Sequence, residues 1–208
     1  LDIGSGLAGP ARSLAERHGC KVIGIDLTQA YCAAATAFSH WVGLSELVTF
    51  LTADATLLPF ADGSFDAAMT IHVGMNVAAK NLMYAQARRV LKPGSRFVVY
   101  DVLQGPGGPA RHPLPWARLP AQSHLVSSEA MCDLLADAGF RLVETVDSSA
   151  ISQRWFEEMA SRRVNGPSPV TLKTVLGADF PLMTENLLVN LREQRLRTVM
   201  FVCEAGRR

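Results

Sequence analysis

The chain has 208 residues, 49% of them hydrophobic and 19% charged, which is enough for one large domain with a substantial core. Its net charge of +1, with no basic stripe, argues against nucleic acid as a partner. No apolar run approaches the roughly 20 residues that a membrane span needs, so we expect no membrane partner. The scattered cysteines have no paired spacing, so we expect reduced thiols, a cytoplasmic location and no metal site.

The chain opens on a strand that runs into a glycine-rich turn. Gly4 and Gly6 permit a sharp turn whose backbone is bare enough to touch a ligand, and Gly9 permits close packing of the following helix. The spacing of these glycines matches the dinucleotide-binding fingerprint, which is a weak signal by itself. Because the sequence begins inside a strand and without Met, we expect further residues to precede Leu1.

Strands and helices then alternate over the first hundred residues. We predict helices at residues 10–18, 29–42 and 81–91, and strands at 21–26, 47–51, 65–71 and 96–102. Thr28 is expected to cap the second helix, and Lys92-Pro-Gly94 to stop the third. This alternation predicts an α/β fold, with a mostly parallel, doubly wound sheet and helices on both faces.

The second half of the chain differs in composition. Residues 104–126 are rich in Pro and Gly and are long for a loop, which favours a functional segment. Ser127 or Ser128 is expected to cap a helix that Gly139 ends, with strands at 140–146 and 198–203. Residues 148–196 are predicted to form two or three helices, with Gly166-Pro-Ser-Pro169 between them.

Four acidic or basic side chains fall at the predicted carboxyl ends of strands, where ligands bind in parallel sheets. They are Asp2, Asp26, Asp54 and His72, and we expect them to share one rim. Tyr100 and Asp101 are expected to face the same rim from the fifth strand.

Four motifs, in this order, resemble those of the class I S-adenosylmethionine-dependent methyltransferases, and the resemblance covers nearly the whole chain. They are Asp2-Ile-Gly4-Ser-Gly6, Gly24-Ile-Asp26, Ala53-Asp54-Ala55 with Leu58-Pro-Phe60 and Gly63-Ser-Phe-Asp66, and Leu91-Lys-Pro-Gly94. The resemblance implies a Rossmann-like sheet of about seven strands with an antiparallel last strand and a helical lid. It also implies one domain over residues 1–208, with a cofactor-binding half at 1–103 and lid or substrate-pocket insertions at 104–126 and 148–196.

The resemblance further implies S-adenosyl-L-methionine as the cofactor. Asp26, followed by Leu27, would accept hydrogen bonds from the ribose hydroxyls and repel a 2′-phosphate. Asp54 would accept from the adenine amine, and the Ala55 N–H would reach a ring nitrogen. Asp2 would favour the cofactor ammonium.

The backbone of Gly4, Ser5 and Gly6 would lie against the amino acid part of the cofactor. The structural alternatives are plain turn glycines, solvated strand-end acids at Asp26 and Asp54, and a tether for loop backbone at Asp2.

His72 is the main catalytic candidate, because an imidazole on this rim can take the proton that an acceptor loses. The alternative is a histidine that packs against the adenosyl group or bonds to backbone. Asn76 either orients the substrate or caps the next helix. Methyl transfer is a displacement at carbon with a neutral leaving group, so alignment and desolvation contribute more than acid–base chemistry.

The predicted lid carries apolar side chains that would line a small-molecule cavity or fill an ordinary core: Trp116, Trp155, Phe156, Met159 and Met183. Polar lid residues would contribute to the pocket or stay solvated: His112, His124, Arg118, Arg154 and Arg162.

We therefore expect methyl transfer to a small molecule by a monomer or homodimer. The stretch 72–76 and the Pro-rich loop are loosely similar to glycine, sarcosine and related small-amine methyltransferases, which favours N-methylation over O- or C-methylation. The alternatives are an NAD-dependent oxidoreductase, suggested by the glycine spacing, and a non-catalytic S-adenosylmethionine-binding protein. Asp54 and Lys92-Pro-Gly94 argue against the oxidoreductase.

Overall fold

The computed structural model describes residues 1–162 and 173–206, so the predicted linker at 166–169 lies outside the described residues. The strands are β1 (Asp2–Ile3), β2 (Val22–Asp26), β3 (Val48–Thr52), β4 (Phe65–Ile71), β5 (Leu91–Gln104), β6 (Phe140–Asp147) and β7 (Leu196–Ala205). The helices are α1 (Gly9–His18), α2 (Gln29–Trp41), α3 (Lys80–Val90), α4 (Ser128–Asp137), α5 (Ser149–Arg162), α6 (Lys173–Leu176) and α7 (Phe180–Arg192). One-turn 3₁₀ helices lie at Gly74–Asn76 and Pro120–Gln122.

The strands form a single seven-stranded sheet in the order β3-β2-β1-β4-β5-β7-β6. The first five strands pair in parallel, whereas β7 pairs antiparallel with both β5 and β6. The predicted doubly wound sheet with an antiparallel last strand is therefore confirmed. The strand order reverses between β1 and β4, and ligands bind in open α/β sheets at such a reversal.

Hydrophobic side chains on both faces of the sheet hold the helices in place. On one face α3 and α4 pack against a cluster that includes Phe97, stacked on Phe140 at 4.9 Å between ring centroids. On the other face α1 and α2 pack against Val22 and Val48. Val22 and Ile25 belong to different clusters, as alternating side chains of one strand should.

The ends of helices α1, α2 and α4 follow the prediction in part. Gly19 ends α1 in the left-handed conformation, with φ of 62°, and its N–H donates to the Ala15 carbonyl. Thr28 occupies the N-cap position of α2, but its hydroxyl makes no capping bond, so that prediction is wrong. The Thr28 N–H instead donates to the Asp26 carboxylate at 2.9 Å. Ser127 caps α4 as predicted, because its hydroxyl accepts from the Ala130 N–H.

The expected turn before the fifth strand is part of the strand itself. α3 ends at Val90, and Leu91 already pairs with Phe65. The pairing then shifts register before Ala67. Pro93 has no N–H for the ladder and Gly94 has a φ of 78°, so Lys92-Pro-Gly94 bulges out of the sheet without ending it.

The Pro-rich loop is fastened at both ends. The Gln104 N–H donates to the Val126 carbonyl at 2.9 Å, which brings the two ends of the loop together. Gly107 donates to the Gln194 carbonyl at 2.9 Å. A Cβ at Gly107 would lie 1.9 Å from the Glu193 carbonyl oxygen, so only glycine allows this approach to the turn between α7 and β7.

The Pro-rich loop and α7 also share a small core, and the buried side-chain amide of Asn190 joins them. Leu114, Leu187 and Leu191 form a cluster with Met75, and Trp116 packs against it. The insertion is therefore attached to the rim beside β4.

The cysteines are free thiols, with Cys20 exposed and Cys32 and Cys203 buried. The Cys32 thiol contacts the Leu51 carbonyl at 3.4 Å. Over residues 1–162 and 173–206 no helix is both long and apolar enough to cross a membrane.

The fully buried Asn190 side chain should contribute most to loop attachment, because it bonds both backbone groups of Arg111 at 2.8 and 2.9 Å. We expect Asn190→Ala to lower the free energy of unfolding by about 1–3 kcal/mol, since two backbone groups lose their partner. Chemical denaturation measures the loss. Asn186→Ala is the matched control, because that amide makes one bond, to the Pro113 carbonyl. Equal losses from both variants would contradict the anchoring role.

Candidate functional site

Backbone and carboxylate bonds join the tips of β1, β2 and β3 at one edge of the sheet. The N–H groups of Gly4 and Ser5 both donate to the Ile25 carbonyl at 2.8 Å. The next N–H, of Gly6, donates to Oδ2 of Asp26 at 2.9 Å. The Ala53 N–H donates to the Asp26 carbonyl at 3.0 Å, which adds β3. The predicted positions on these three strands therefore lie side by side.

The glycine turn depends on missing side chains at two positions. Gly4 has a φ of 76°, and a Cβ there would lie 2.3 Å from Cγ2 of Val73. Gly6 has a φ of 51°, and a Cβ there would meet nothing within 4 Å. Gly4 thus allows close packing against the segment after β4, whereas Gly6 turns bare backbone toward open space. Such open backbone suits a ligand.

Asp2 and Ser5 place polar atoms without partners beneath this turn. Asp2 is 2% exposed, and neither its Oδ2 nor the Ser5 hydroxyl has a hydrogen-bond partner among the described residues. Burial raises the pKa of Asp2 to about 6. Buried polar groups are nearly always satisfied, so these two atoms point to a ligand with hydrogen-bond donors. A carboxylate beside an open, bare backbone fits the ammonium of an amino acid.

Asp26 is half-buried at the tip of β2, and each of its carboxylate oxygens accepts one backbone N–H, from Gly6 and from Thr28. A carboxylate has about four lone-pair sites, so two bonds leave capacity for two further donors. Leu27, the next residue, is 74% exposed. The tip of β2 therefore offers a fixed acceptor beside an apolar surface, a combination that fits a ribose with two free hydroxyls.

Asp54 lies beyond β3 in a turn that it stabilises itself. Its Oδ1 accepts from both the N–H and the hydroxyl of Thr56 at 2.8 Å. These bonds, the backbone bond first, lower the pKa of this exposed carboxyl. Asp54 therefore stabilises its own turn, which was one of the two roles considered for it. Its other carboxylate oxygen, Oδ2, can accept a hydrogen bond from a ligand. Ala55 is half-buried and packs against the core.

His72 follows β4 in a conformation rare for a residue with a side chain, with φ of 56°. Its N–H donates to the Tyr100 carbonyl at 2.8 Å, and its ring lies 4.8 Å from the Tyr100 ring between centroids. The residue is open to solvent, yet partial desolvation by the surrounding protein lowers the pKa of the imidazole from its ordinary value of 6.5. The neutral ring, which accepts a proton, is therefore the form favoured at pH 7.

The structure excludes one of the two roles left open for Asn76, and it places Asp101 differently from the expectation. Asn76 does not cap the next helix, because the N-cap position of α3 is occupied by Ala79, and the Asn76 side chain is exposed. Asp101 does not face the rim, because it is 1% exposed and lies against Gly74 on the sheet face covered by α3. Desolvation raises the pKa of Asp101 to about 7, although the Val102 N–H bonds it. Adjacent residues of a strand point to opposite faces, so Tyr100 and Asp101 approach this end of the sheet from opposite faces.

No sequence motif indicates the group of hydroxyls that lies beside the rim. The Tyr100 hydroxyl lies 3.0 Å from Oγ of Ser148, which also lies 3.2 Å from Oγ1 of Thr198. Ser152 extends the group, with its Oγ 2.8 Å from that of Thr198. These residues come from β5, from β7, and from the first turn of α5 with the residue before it, separated by about 50 residues, and no local motif links them. We call them the hydroxyl cluster.

The lid candidates divide between core and surface. Met183 is buried, Trp116 and Phe156 pack against the Met75 cluster, and Trp155 and Met159 are more than 40% exposed. The interpretation as core thus holds for the first three.

The polar lid candidates have local partners or lie at the surface. His112 lies 3.1 Å from the Ala110 carbonyl through Nδ1, and the His124 carbonyl accepts from the buried ammonium of Lys80. Arg118 pairs with Asp179. Arg154 is exposed, and the side chain of Arg162 lies outside the described part of the chain. Among the described residues no three His, Cys, Asp or Glu side chains are grouped to hold a metal ion.

Comparison with known proteins assigns the first half of the chain. Residues 1–99 match the family model described as a methyltransferase domain. The sterol 24-C-methyltransferase ERG6B of Gibberella zeae is 36% identical over 103 residues, which are 50% of this chain and 27% of that protein. An O-methyltransferase of Pyrenophora dematioidea is 30% identical over 148 residues, 71% of this chain and 55% of that protein. The chain thus spans between about a quarter and about half of the length of these relatives.

The fold extends the likeness over the rest of the chain. Geranyl diphosphate C-methyltransferase from Streptomyces coelicolor A3(2), solved with Mg²⁺, geranyl diphosphate and S-adenosyl-L-homocysteine, superposes with a TM-score of 0.80 at 20% identity. The match covers 98% of this chain and 69% of that one. At this identity the superposition establishes the fold alone. Residues 1–99 thus match a methyltransferase domain, and the whole chain has the fold of a class I S-adenosylmethionine-dependent methyltransferase.

Proposed function

We propose that this protein transfers a methyl group from S-adenosyl-L-methionine to a small-molecule acceptor. The observation that carries the proposal is the edge formed by β1, β2 and β3, where the Asp26 carboxylate accepts from Gly6 beside the buried, unpaired Asp2. Few ligands need a diol acceptor, an ammonium acceptor and bare backbone together. An amino acid joined to a nucleoside needs all three.

The residues of this edge would divide the cofactor between them. Asp26 would accept the ribose hydroxyls, Asp54 the adenine amine through its free Oδ2, and Asp2 the ammonium. The Ala55 N–H would bond the adenine ring, and Leu27 would cover the nucleoside. When bound, the cofactor supplies a methyl group on a sulfonium, whose carbon–sulfur electrons remain on sulfur as it becomes a neutral thioether.

His72 would hold the proton that the acceptor loses. Three features support this role: its neutral ring, its left-handed backbone, and its place directly after β4, the neighbour of β1 in the sheet. Asn76 would orient the acceptor from the exposed 3₁₀ turn that follows. Because the acceptor must arrive with a free lone pair and little water, the lid residues near Met75 would act by desolvation.

Titration calorimetry with S-adenosylhomocysteine and with NAD tests the cofactor. We expect the former to bind and the latter not to bind, since the buried Asp2 carboxylate beneath the glycine turn favours an ammonium and disfavours a pyrophosphate. Binding of NAD alone would replace the proposal with an oxidoreductase.

A tritium-release assay against amines, phenols and an acidic carbon compound then tests turnover. Cofactor binding without turnover of any acceptor class would favour a non-catalytic binding protein.

Asp26→Ala should weaken S-adenosylhomocysteine binding by about 1–3 kcal/mol, because the ribose hydroxyls lose a charged acceptor. Calorimetry measures the change. Asp137→Ala, which removes an exposed carboxylate of α4, is the control for net charge and should bind as the parent does. An unchanged affinity in Asp26→Ala would count against this site.

His72→Ala should lower turnover by roughly 10²-fold or more while leaving S-adenosylhomocysteine affinity within a few-fold. His40→Ala, on the exposed part of α2, is the control.

A base acts when deprotonated, and desolvation lowers the His72 pKa, so the parent's kcat/KM should fall only below about pH 6.5. An acid limb centred well above that value, or one that persists in His72→Ala, would assign the proton to another group.

A further inference from the structure

The hydroxyl cluster lies on the acceptor side of the site. In the sheet order β3-β2-β1-β4-β5, the strand that carries Tyr100 is on the far side of His72 from Asp26 and Asp54. Tyr100 is half-buried and its ring lies against the ring of His72. The cofactor residues of the proposed function leave this end of the rim to the molecule that receives the methyl group.

A count of protons fixes the direction of the bonds in the cluster. The Ser148 hydroxyl lies 3.1 Å from the Thr198 carbonyl, which can only accept, so Ser148 donates there. Its oxygen is then left to accept from Tyr100 and from the Thr198 hydroxyl, and Ser152 donates to Thr198. In this arrangement each hydroxyl donates once and all four contacts are bonds. Any arrangement in which Ser148 donates to Tyr100 loses the bond to the carbonyl.

The Tyr100 oxygen is therefore held as a hydrogen-bond acceptor. Its single proton is directed to Ser148, which leaves a lone pair of the phenol oxygen without a partner among the described residues, on a ring that contacts the His72 ring. The neutral imidazole of His72 also presents one nitrogen lone pair. None of the four hydroxyls bonds a charged side chain among the described residues. Two neutral acceptors thus belong to rings whose centroids lie 4.8 Å apart.

We propose that Tyr100 is a specificity-determining residue that, together with His72, selects an uncharged primary amine as the methyl acceptor. The inference rests on the proposed function and names its substrate class. A primary amine has two N–H donors for the two acceptors, and its one lone pair stays free. An alcohol has one donor and leaves one acceptor unpaired, which costs binding. In the reaction the amine nitrogen bonds the methyl carbon, the carbon–sulfur bond breaks with its electrons kept by sulfur, and one N–H proton passes to His72.

Two nucleoside probes test Tyr100 without knowledge of the acceptor. Sinefungin carries an amine where the cofactor carries its methyl group, so its N–H donors face the acceptor side, and S-adenosylhomocysteine lacks that amine. Calorimetry should show that the parent binds sinefungin more tightly. Tyr100→Phe should reduce sinefungin affinity about tenfold and leave S-adenosylhomocysteine affinity unchanged, because one hydrogen bond to an amine is lost.

Thr198→Val is the matched control, because it keeps the shape of the side chain and both bonds that orient the Tyr100 proton. Its two affinities should equal those of the parent. Ser148→Ala removes the acceptor of the Tyr100 proton, so the phenol can turn that proton toward the ligand, and sinefungin affinity should again fall about tenfold. This variant decides the matter if Tyr100→Phe does not fold.

Equal changes in the two affinities, or no change, in Tyr100→Phe or Ser148→Ala would overturn the proposal while the methyltransferase assignment stands. So would methylation of an alcohol in preference to the amine of the same carbon skeleton. Failure of the parent to bind either nucleoside would instead overturn the proposed function, and this inference with it.

Discussion

The site depends on one bond, from the Gly6 N–H to the Asp26 carboxylate. β1 is only two residues long, and the turn after it needs left-handed backbone at Gly4 and Gly6. Such a turn exposes consecutive N–H groups that the sheet cannot pair. The Ile25 carbonyl takes two of them and the carboxylate takes the third. The acid that the cofactor would need is thus also the group that shapes the loop around it, and a hydrogen bond to a charged acceptor is stronger than one to a neutral acceptor.

The three acids predicted at strand ends occupy different environments, and each environment suits a different ligand group. Asp2 is buried without a partner, which raises its pKa to about 6, and a nearby cation would favour its charged form. Asp26 is half-buried with two backbone donors, so it stays a rigid acceptor. Asp54 is exposed and bonded within its own turn, which makes it the weakest of the three as a determinant of binding.

The part of the chain after residue 103, which we propose to contribute to the acceptor pocket, is not a hinged flap. The loop at 104–126 is closed by the bond between Gln104 and Val126 and is fastened to α7 through Asn190. The hydroxyl cluster fastens α5 to β7 in the same way. These contacts are backbone or short polar bonds of fixed geometry, so this half of the site is largely preformed, which lowers the entropy cost of placing an acceptor.

The sequence by itself determined the order of strands and helices, the parallel sheet and the strand tips at which Asp2, Asp26, Asp54 and His72 lie. These features follow from local rules, namely hydrophobic periodicity, glycine turns and the alternation of elements. It also predicted strand β4 with the bounds that the structure has. What these rules cannot give is the direction of a side chain whose strand has two covered faces. That is why Asp101 was expected on the rim and lies beneath it.

Only the tertiary structure decided which distant residues meet. Tyr100, Ser148 and Thr198 become neighbours because β7 returns antiparallel beside β5, a pairing between segments about 100 residues apart. The structure also decided that Trp116 and Phe156 pack against a core cluster and that Asn76 caps no helix. Local patterns record which residues are apolar or polar, whereas long-range pairing sets their partners, and the partners determine what each polar atom has left to offer a ligand.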